Sequence, residues 1–530
     1  MRRIWVLIVG LLFVVQTLPG QAIQGELIVL LQNGIDVEEW LIGYAANDQS
    51  HSSTIQLGKT LSSQMNIHLL QNAGNFHDEI KLDPVVIASQ PNYIIYKRNR
   101  EEPDDPFYAD QWGLETIMAP EAWSITTGGL TPQGDTIVVA ILETGCDYLH
   151  EDLNETTWRN YNEIPNDGID NDNNGFIDDF VGWNFNTNND EHPLDFHGTS
   201  VNGIIGAKGD NTIGVSGVNW SVKRMVLTYN SLLSEVIEGY AYAKMMREMY
   251  NQTNGEKGAF IVATNSSFGI NEARPDDFPV WCALYDSLGS VGILNAVAAP
   301  NMDINVEVIG DMPSRCTSEF VIATTNTDQI DAKVLQAGWG KVSIDLGSPG
   351  DNSFTTKPGN IYGSFGGTSS SAPHLAGAIS LLYSLPEPEI TINSKSKPAL
   401  VARLMKSLIL EGVDPIPSLE DRTRSGGRLN VFNSVALALG LDGRGDALMI
   451  SDLYPNPSRG AITILIERSS GPISMEITNS AGQLMSRSDY QESSLGFLRI
   501  DLALHDLRPG IYFIKLETDA EKQVRKFVIF

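Results

Sequence analysis

Gly367-Thr368-Ser369-Ser370-Ser371-Ala372-Pro373-His374 is the stretch on which the reading of this chain turns. The apolar run 375–385 follows it and reads as a buried helix, so Ser369 falls in a first turn. A helix start offers unpaired backbone N–H groups and a partial positive charge, which suit a serine nucleophile and the oxyanion it creates. Gly366 and Gly367 let the backbone pass close to a substrate, and Pro373 is tolerated because early helical positions need no N–H donor. A capped, purely structural helix explains the same residues. Two distant segments decide between these readings.

Asp195-Phe196-His197-Gly198-Thr199-Ser200 precedes the small and apolar run 201–207, which puts His197 at the head of a second helix, bordering a cleft. Residues 135–145 read as a fully buried parallel strand ending in the Glu143 carboxylate and a turn glycine, Gly145. Acid, histidine and serine in this order, each at the end of an element, resemble the subtilisin-like serine peptidases; chymotrypsin and the α/β-hydrolases use other orders. The resemblance covers residues 104–441 and includes Gln111-Trp112-Gly113-Leu114 and Glu121-Ala122-Trp123, which are similar to the entry of a bacterial catalytic domain. It implies an α/β fold with a doubly wound parallel sheet. By the same resemblance Ser369 is the nucleophile, His197 the general base and then acid, and Glu143 stands at the triad acid position. The apolar strand 291–299 leads into Pro300-Asn301, where the family usually carries Ala-Ala-Gly-Asn, so Asn301 is the implied oxyanion-hole side chain. Pro300 in place of glycine leaves the shape of that loop open. Ser267-Phe268-Gly269 resembles the segment that binds substrate by pairing with an extended peptide, although an ordinary strand end also accounts for it.

Glu143 is the largest departure, because the family normally has aspartate there. The acid orients the histidine and stabilises the imidazolium, and both tasks need its charge. One extra methylene moves the carboxylate by about a bond length, and a ~1 Å misplacement can cost ~10² in rate. Local backbone adjustment absorbs that, or the domain is a catalytically impaired peptide-binding surface protein. Asp147 is a weaker substitute, since it lies beyond the strand end.

Composition agrees with export. A chain of 530 residues holds several domains, and a net charge of −29 argues against a nucleic-acid partner. Met1-Arg2-Arg3, the short apolar run 4–15 and Gly20-Gln21-Ala22 read as a signal peptide cleaved after Ala22. The run is short for a membrane span, and no comparable stretch follows. Three cysteines allow at most one internal bridge. In an oxidised compartment Cys282 and Cys316, which flank the strand before Asn301 and its loop, are the expected pair, leaving Cys146 as a small core residue. The strand-like runs 26–31, 84–88 and 92–96 and the polar linker after them resemble an α+β propeptide that acts as chaperone and inhibitor.

Residues 166–179 have calcium-loop character. Oxygen side chains alternate at Asp170, Asp172 and Asn174, Gly175 permits the turn, Phe176 offers its carbonyl, and Asp178 or Asp179 closes the shell around a structural Ca2+. Val181 stands where an EF-hand loop ends in glutamate, and a solvated acidic loop is the alternative. Asn211-Thr212-Ile213-Gly214-Val215 resembles a calcium loop of the same family, with Asp152 as its partner. Beyond Gly440, the runs 461–466, 473–477, 497–502 and 511–516 alternate as sandwich strands do. Tyr454-Pro455-Asn456-Pro457 opens this region; Gly510-Ile511-Tyr512-Phe513-Ile514 and a basic stretch at 522–526 close it. Together they resemble the C-terminal sorting domain of type IX secretion substrates. The expected organisation is a signal peptide at 1–22, a propeptide at 23–103, a peptidase domain at 104–441 and a sorting β-sandwich at 448–530. The expected product is a monomeric serine endopeptidase, exported through the outer membrane by the type IX machinery to act on protein or peptide substrates, with no membrane span after signal removal.

Overall fold

The computed structural model describes residues 22–32, 34–47, 55–73, 77–93, 101–439, 449–454, 458, 461–467, 473–480, 482–490, 497–504, 507–517 and 522–530. All but the last residue of the expected signal peptide, the end of the 92–96 run, the linker 97–100 and the proline-rich part of the Tyr454 motif lie outside the described residues. The chain divides into two compact units, residues 1–98 with 440–445 and residues 99–439 with 446–530.

In the larger unit the apolar run after Asp135 is the strand Ile137–Glu143, buried along its whole length. Ile137, Val139 and Ile141 face one apolar core while Val138, Ala140 and Leu142 face another, which is why the run is continuous rather than alternating. The nine-stranded sheet runs in the order Gly182–Asn184, Lys223–Thr228, Ile137–Glu143, Phe260–Ser266, Leu294–Ala298, Val321–Thr327, Leu346–Pro349, Gly427–Arg428 and Asp414–Pro415. All neighbours are parallel except the last pair. The chain leaves Ile137–Glu143 toward Lys223–Thr228 and then crosses to its other side at Phe260–Ser266, so the strand order reverses at that strand. Open α/β sheets bind ligands at such a switch point.

The helix Thr368–Leu382 is buried on every side, as expected of a helix that is apolar all round. It begins earlier and ends earlier than the apolar run 375–385, and this corrects the account of Pro373: the proline lies inside the helix. Lacking an N–H, it leaves the carbonyl four residues back, that of Ser369, without its helical partner. Ser267 Oγ donates to that carbonyl at 2.9 Å. The histidine sits in the helix Phe196–Gly206, capped by the Asp195 carboxylate on Gly198 N.

In the smaller unit the strands Gln56–Ser62, Ile67–Gln71, Ala22–Leu31 and Val86–Tyr93 form one antiparallel sheet in that order, with helices Val37–Asn47 and His77–Leu82. Leu27, Val29, Leu31, Leu70 and Ile80 make its core. The C-terminal strands make two antiparallel sheets, of three and four strands, whose facing residues Ile462, Ile464 and Ile500 and Met475, Ile514 and Phe527 share a single core, a β-sandwich. The basic stretch at its end is the strand Lys522–Ile529. Among the described residues no helix is long and apolar enough to cross a membrane.

Cys282, on the helix Pro279–Ser290, is bonded to Cys316, and Cys146 is free and buried. Burial pushes the Cys146 thiol up to about 12, so it is a packing residue. The bridge closes a loop of 34 residues that contains the strand Leu294–Ala298 and Asn301. Replacing both cysteines by serine should lower unfolding free energy by about 3–4 kcal/mol through loop entropy. Denaturant unfolding of wild type and double variant would measure it; coincident curves would show that the bridge adds nothing.

Candidate active site

Three element ends meet at the switch point. Glu143 closes its strand and is buried, and its Oε2 lies 2.8 Å from Nδ1 of His197. Such closeness depends on glycine. A Cβ on Gly198 would stand 1.9 Å from the Gly145 carbonyl and 3.0 Å from Glu143 Cβ, so any larger residue would lift the histidine helix off the strand end. Burial pushes the Glu143 carboxyl above its usual range, with His197 pulling the other way, and Glu143 Oε1 is buried without a hydrogen-bond partner. Burial also works against the imidazolium, but the charge and hydrogen bond of Glu143 outweigh it and hold His197 above the ordinary 6.5. Asp147 is occupied elsewhere, its Oδ2 accepting Gly359 N at 2.8 Å.

Ser369 is the second residue of its helix, and its Oγ donates to the Ser267 carbonyl at 3.2 Å. Ser267 Oγ bonds back to the Ser369 carbonyl, so the two serines are reciprocally paired. Among the described residues no hydrogen bond joins Ser369 to His197; catalytic hydrogen bonds are often unmade in the free state. Asn301 Oδ1 accepts from both the N–H and the hydroxyl of Thr368, at 2.9 and 3.0 Å. That anchorage fixes which end of the amide is which and turns Nδ2 outward. Among the described residues neither Asn301 Nδ2 nor Ser369 N–H meets an acceptor, which leaves two donors at one helix start. Pro300 is accommodated because Gly338 stands opposite: a Cβ there would lie 2.5 Å from Pro300 Cδ, and Gly338 N donates to the Pro300 carbonyl at 2.8 Å.

Ser267, Phe268 and Gly269 run on from the strand Phe260–Ser266 into the short strand Ile270–Asn271. Phe268 packs on Tyr229 at 4.9 Å and stacks on Trp281 at 6.3 Å, giving the segment an aromatic wall absent from the motif reading. Thr368, the clamp on Asn301, was legible as part of the motif, but its role was not.

The carboxylates of the acidic loop are rearranged relative to the sequence expectation. Asp170 and Asp172 gather with Glu163, which lies outside the motif, their oxygens within 4.8 Å of one another. Asp178 turns away to accept the amides of Asp167 and Gly168, both at 3.0 Å. Asn174 Oδ1 accepts Phe176 N, and the Phe176 ring packs edge-on to Tyr242. Asp179 is buried between Asn160, Asn174 and Tyr242, and burial pushes it up to about 7. An all-oxygen carboxylate set is the chemistry calcium takes. At the second loop, Asp152 accepts Asn211 Nδ2 at 3.1 Å and Val215 N at 2.8 Å.

The elevated His197 pKa has a direct test. Glu143→Gln removes the charge that raises it and leaves the burial that lowers it, so the ring should then titrate below the ordinary 6.5. NMR titration of the His197 ring reads this without turnover. An unmoved titration would detach Glu143 from the histidine.

Comparison with known proteins agrees with this geometry. The model of the subtilase family matches residues 134–426, and that of the secretion system C-terminal sorting domain matches residues 452–530. Subtilisin-like protease 1 of Plasmodium berghei is 27% identical over 361 residues, covering 63% of this chain and 55% of that protein. The thermophilic serine proteinase of Bacillus sp. strain AK1 is 25% identical over 380 residues, covering 69% of this chain and 79% of the relative. The chain thus spans about half the length of the Plasmodium relatives it matches. A solved protease of Pseudoalteromonas arctica covers 64% of this chain and 100% of its own, with a TM-score of 0.47 and 22% identity. The sorting domain marks the protein for export to the medium or the cell surface. With acid, histidine and serine gathered at the switch point of a doubly wound sheet, and a family model matched across them, the chain belongs to the subtilase family of serine proteases.

Proposed function

We propose that the protein is a serine endopeptidase that cleaves protein or peptide substrates through an acyl-enzyme, as a monomer exported by the type IX machinery. The observation that carries this reading is the 2.8 Å contact between Glu143 Oε2 and His197 Nδ1, which a longer acid than the family's aspartate achieves nonetheless. In this reading Nδ1–H donates to Glu143, leaving Nε2 to take the Ser369 proton. Ser369 Oγ leaves the Ser267 carbonyl and attacks the peptide carbonyl. Asn301 Nδ2 and Ser369 N–H hold the oxyanion. His197 then protonates the leaving amine, and water releases the acyl group. Residues 23–103 act as propeptide, and Ser267, Phe268 and Gly269 pair with the substrate backbone.

Ser369→Ala should abolish peptide hydrolysis, and with it self-processing near Arg100. Purified Ser369→Ala protein that matures with no other protease present would refute self-processing, and unchanged hydrolysis would refute the nucleophile. A folded wild type inert to substrates and to serine-directed covalent probes would favour a peptide-binding protein with an impaired site.

We also propose a structural calcium ion on the acidic loop, held by Asp170 and Asp172 with Glu163. Binding only to the folded state, it should raise thermal stability by several degrees at saturating calcium. A chelator should lower the melting temperature, and Asp170→Ala with Asp172→Ala should blunt that response. A melting temperature indifferent to calcium and chelator would leave the loop as a solvated acidic turn.

A further inference from the structure

Lys357 is a buried cation that this mechanism leaves unused. It ends the strand Ser353–Lys357, whose Thr355 and Thr356 hydroxyls bond to the Ser200 and Thr199 carbonyls of the histidine helix at 3.0 and 2.8 Å. The residue is 6% exposed. Its ammonium donates to Ser200 Oγ at 3.0 Å, stands 3.7 Å from the centre of the Phe196 ring and 5.2 Å from that of Phe365. Among the described residues it forms no ion pair. Phe365 meets the His197 ring edge-on at 5.1 Å, so ammonium, phenyl ring and imidazole stand in series.

A lysine in this position has exchanged water for one hydroxyl and two aromatic faces, and burial pushes its pKa down to about 8. The charged groups facing His197 are Glu143 from the strand Ile137–Glu143, Asp195 from the cap of its own helix and Lys357 from the neighbouring hairpin. Toward Lys357, the histidine helix brings Ser200 and Phe196, and the strand Ile361–Phe365 brings Phe365. Asp147 is engaged at Gly359 N, further along the hairpin.

We propose that Lys357 is a positioning residue for the catalytic histidine, holding Phe365 against the imidazole and setting a positive charge in opposition to Glu143. Burial is the largest influence opposing the hold of Glu143 on the imidazolium proton, and the lysine adds to it. The lysine offsets part of that hold and widens the pH range in which His197 is neutral. The inference rests on the serine peptidase reading.

The test compares kcat/KM against pH, on one peptide substrate, for processed wild type, Lys357→Met and Lys357→Arg. The acid limb reports the proton on His197. Lys357→Met should move its midpoint upward, by roughly a few tenths of a pH unit, because the ammonium is the smallest of the influences acting on His197. Lys357→Arg, which keeps the charge, should stay at the wild-type midpoint. A folded Lys357→Met protein with an unshifted midpoint would overturn the proposal, as would Lys357→Arg moving together with Lys357→Met. If Lys357→Met does not fold, NMR titration of the His197 ring in the wild type decides. A second inflection as the ammonium deprotonates supports the coupling; a single inflection up to pH 10 overturns it. That titration needs no turnover, so a wild type without hydrolytic activity would count against the peptidase reading while Lys357 was still judged.

Discussion

The hydrogen bond between the buried Glu143 carboxylate and His197 is the constraint from which the rest of the site follows. A carboxylate out of water is costly unless it is paired, and here the imidazole is its main partner. The strand end and the histidine helix must therefore come into contact, which Gly145 and Gly198 permit by presenting no side chains at the crossing. Because that contact lies where the strand order reverses, the loop after Phe260–Ser266 and the loop after Leu294–Ala298 open beside it. The segments that carry Ser267, Asn301 and Ser369 are tied together there.

Two prolines shape the other half of the site. Pro373 removes a helical hydrogen bond and so frees the Ser369 carbonyl, which the Ser267 hydroxyl takes; a defect in the helix becomes the tie between Ser369 and the segment that follows the strand Phe260–Ser266. Pro300 replaces a glycine usual in the family, and Gly338 on the facing segment supplies the space in return. In both cases the residue that disturbs the local backbone is matched by a partner distant in sequence. The site is held by compensation between segments as much as by the motifs themselves.

Charge around the histidine is set in layers. Glu143 raises its proton affinity, burial and Lys357 oppose, and Asp195 both caps the helix and adds negative charge. The sorting sandwich bears on destination rather than chemistry, and it has a hydrophobic core of its own.

Much of this was legible in the residues because its signals are local. An unbroken apolar run that ends in a carboxylate reads as a central parallel strand, and helix starts at His197 and Ser369 follow from composition. Those elements and their order were thus determined by sequence. The alternation of 461–466 and 473–477 likewise announced sandwich strands. What the tertiary structure alone decided were pairings between segments with no shared period. Glu163 rather than Asp178 stands with Asp170 and Asp172, while Asp178 accepts the amides of a turn that only the folded loop presents. Ser267 bonds to a carbonyl freed a hundred residues away, Gly338 yields to Pro300, and Lys357 lies over Phe196 and beside Phe365. Periodicity states which face of an element is apolar. It carries no information about which polar atoms lose their water together, and only the packed chain settles that.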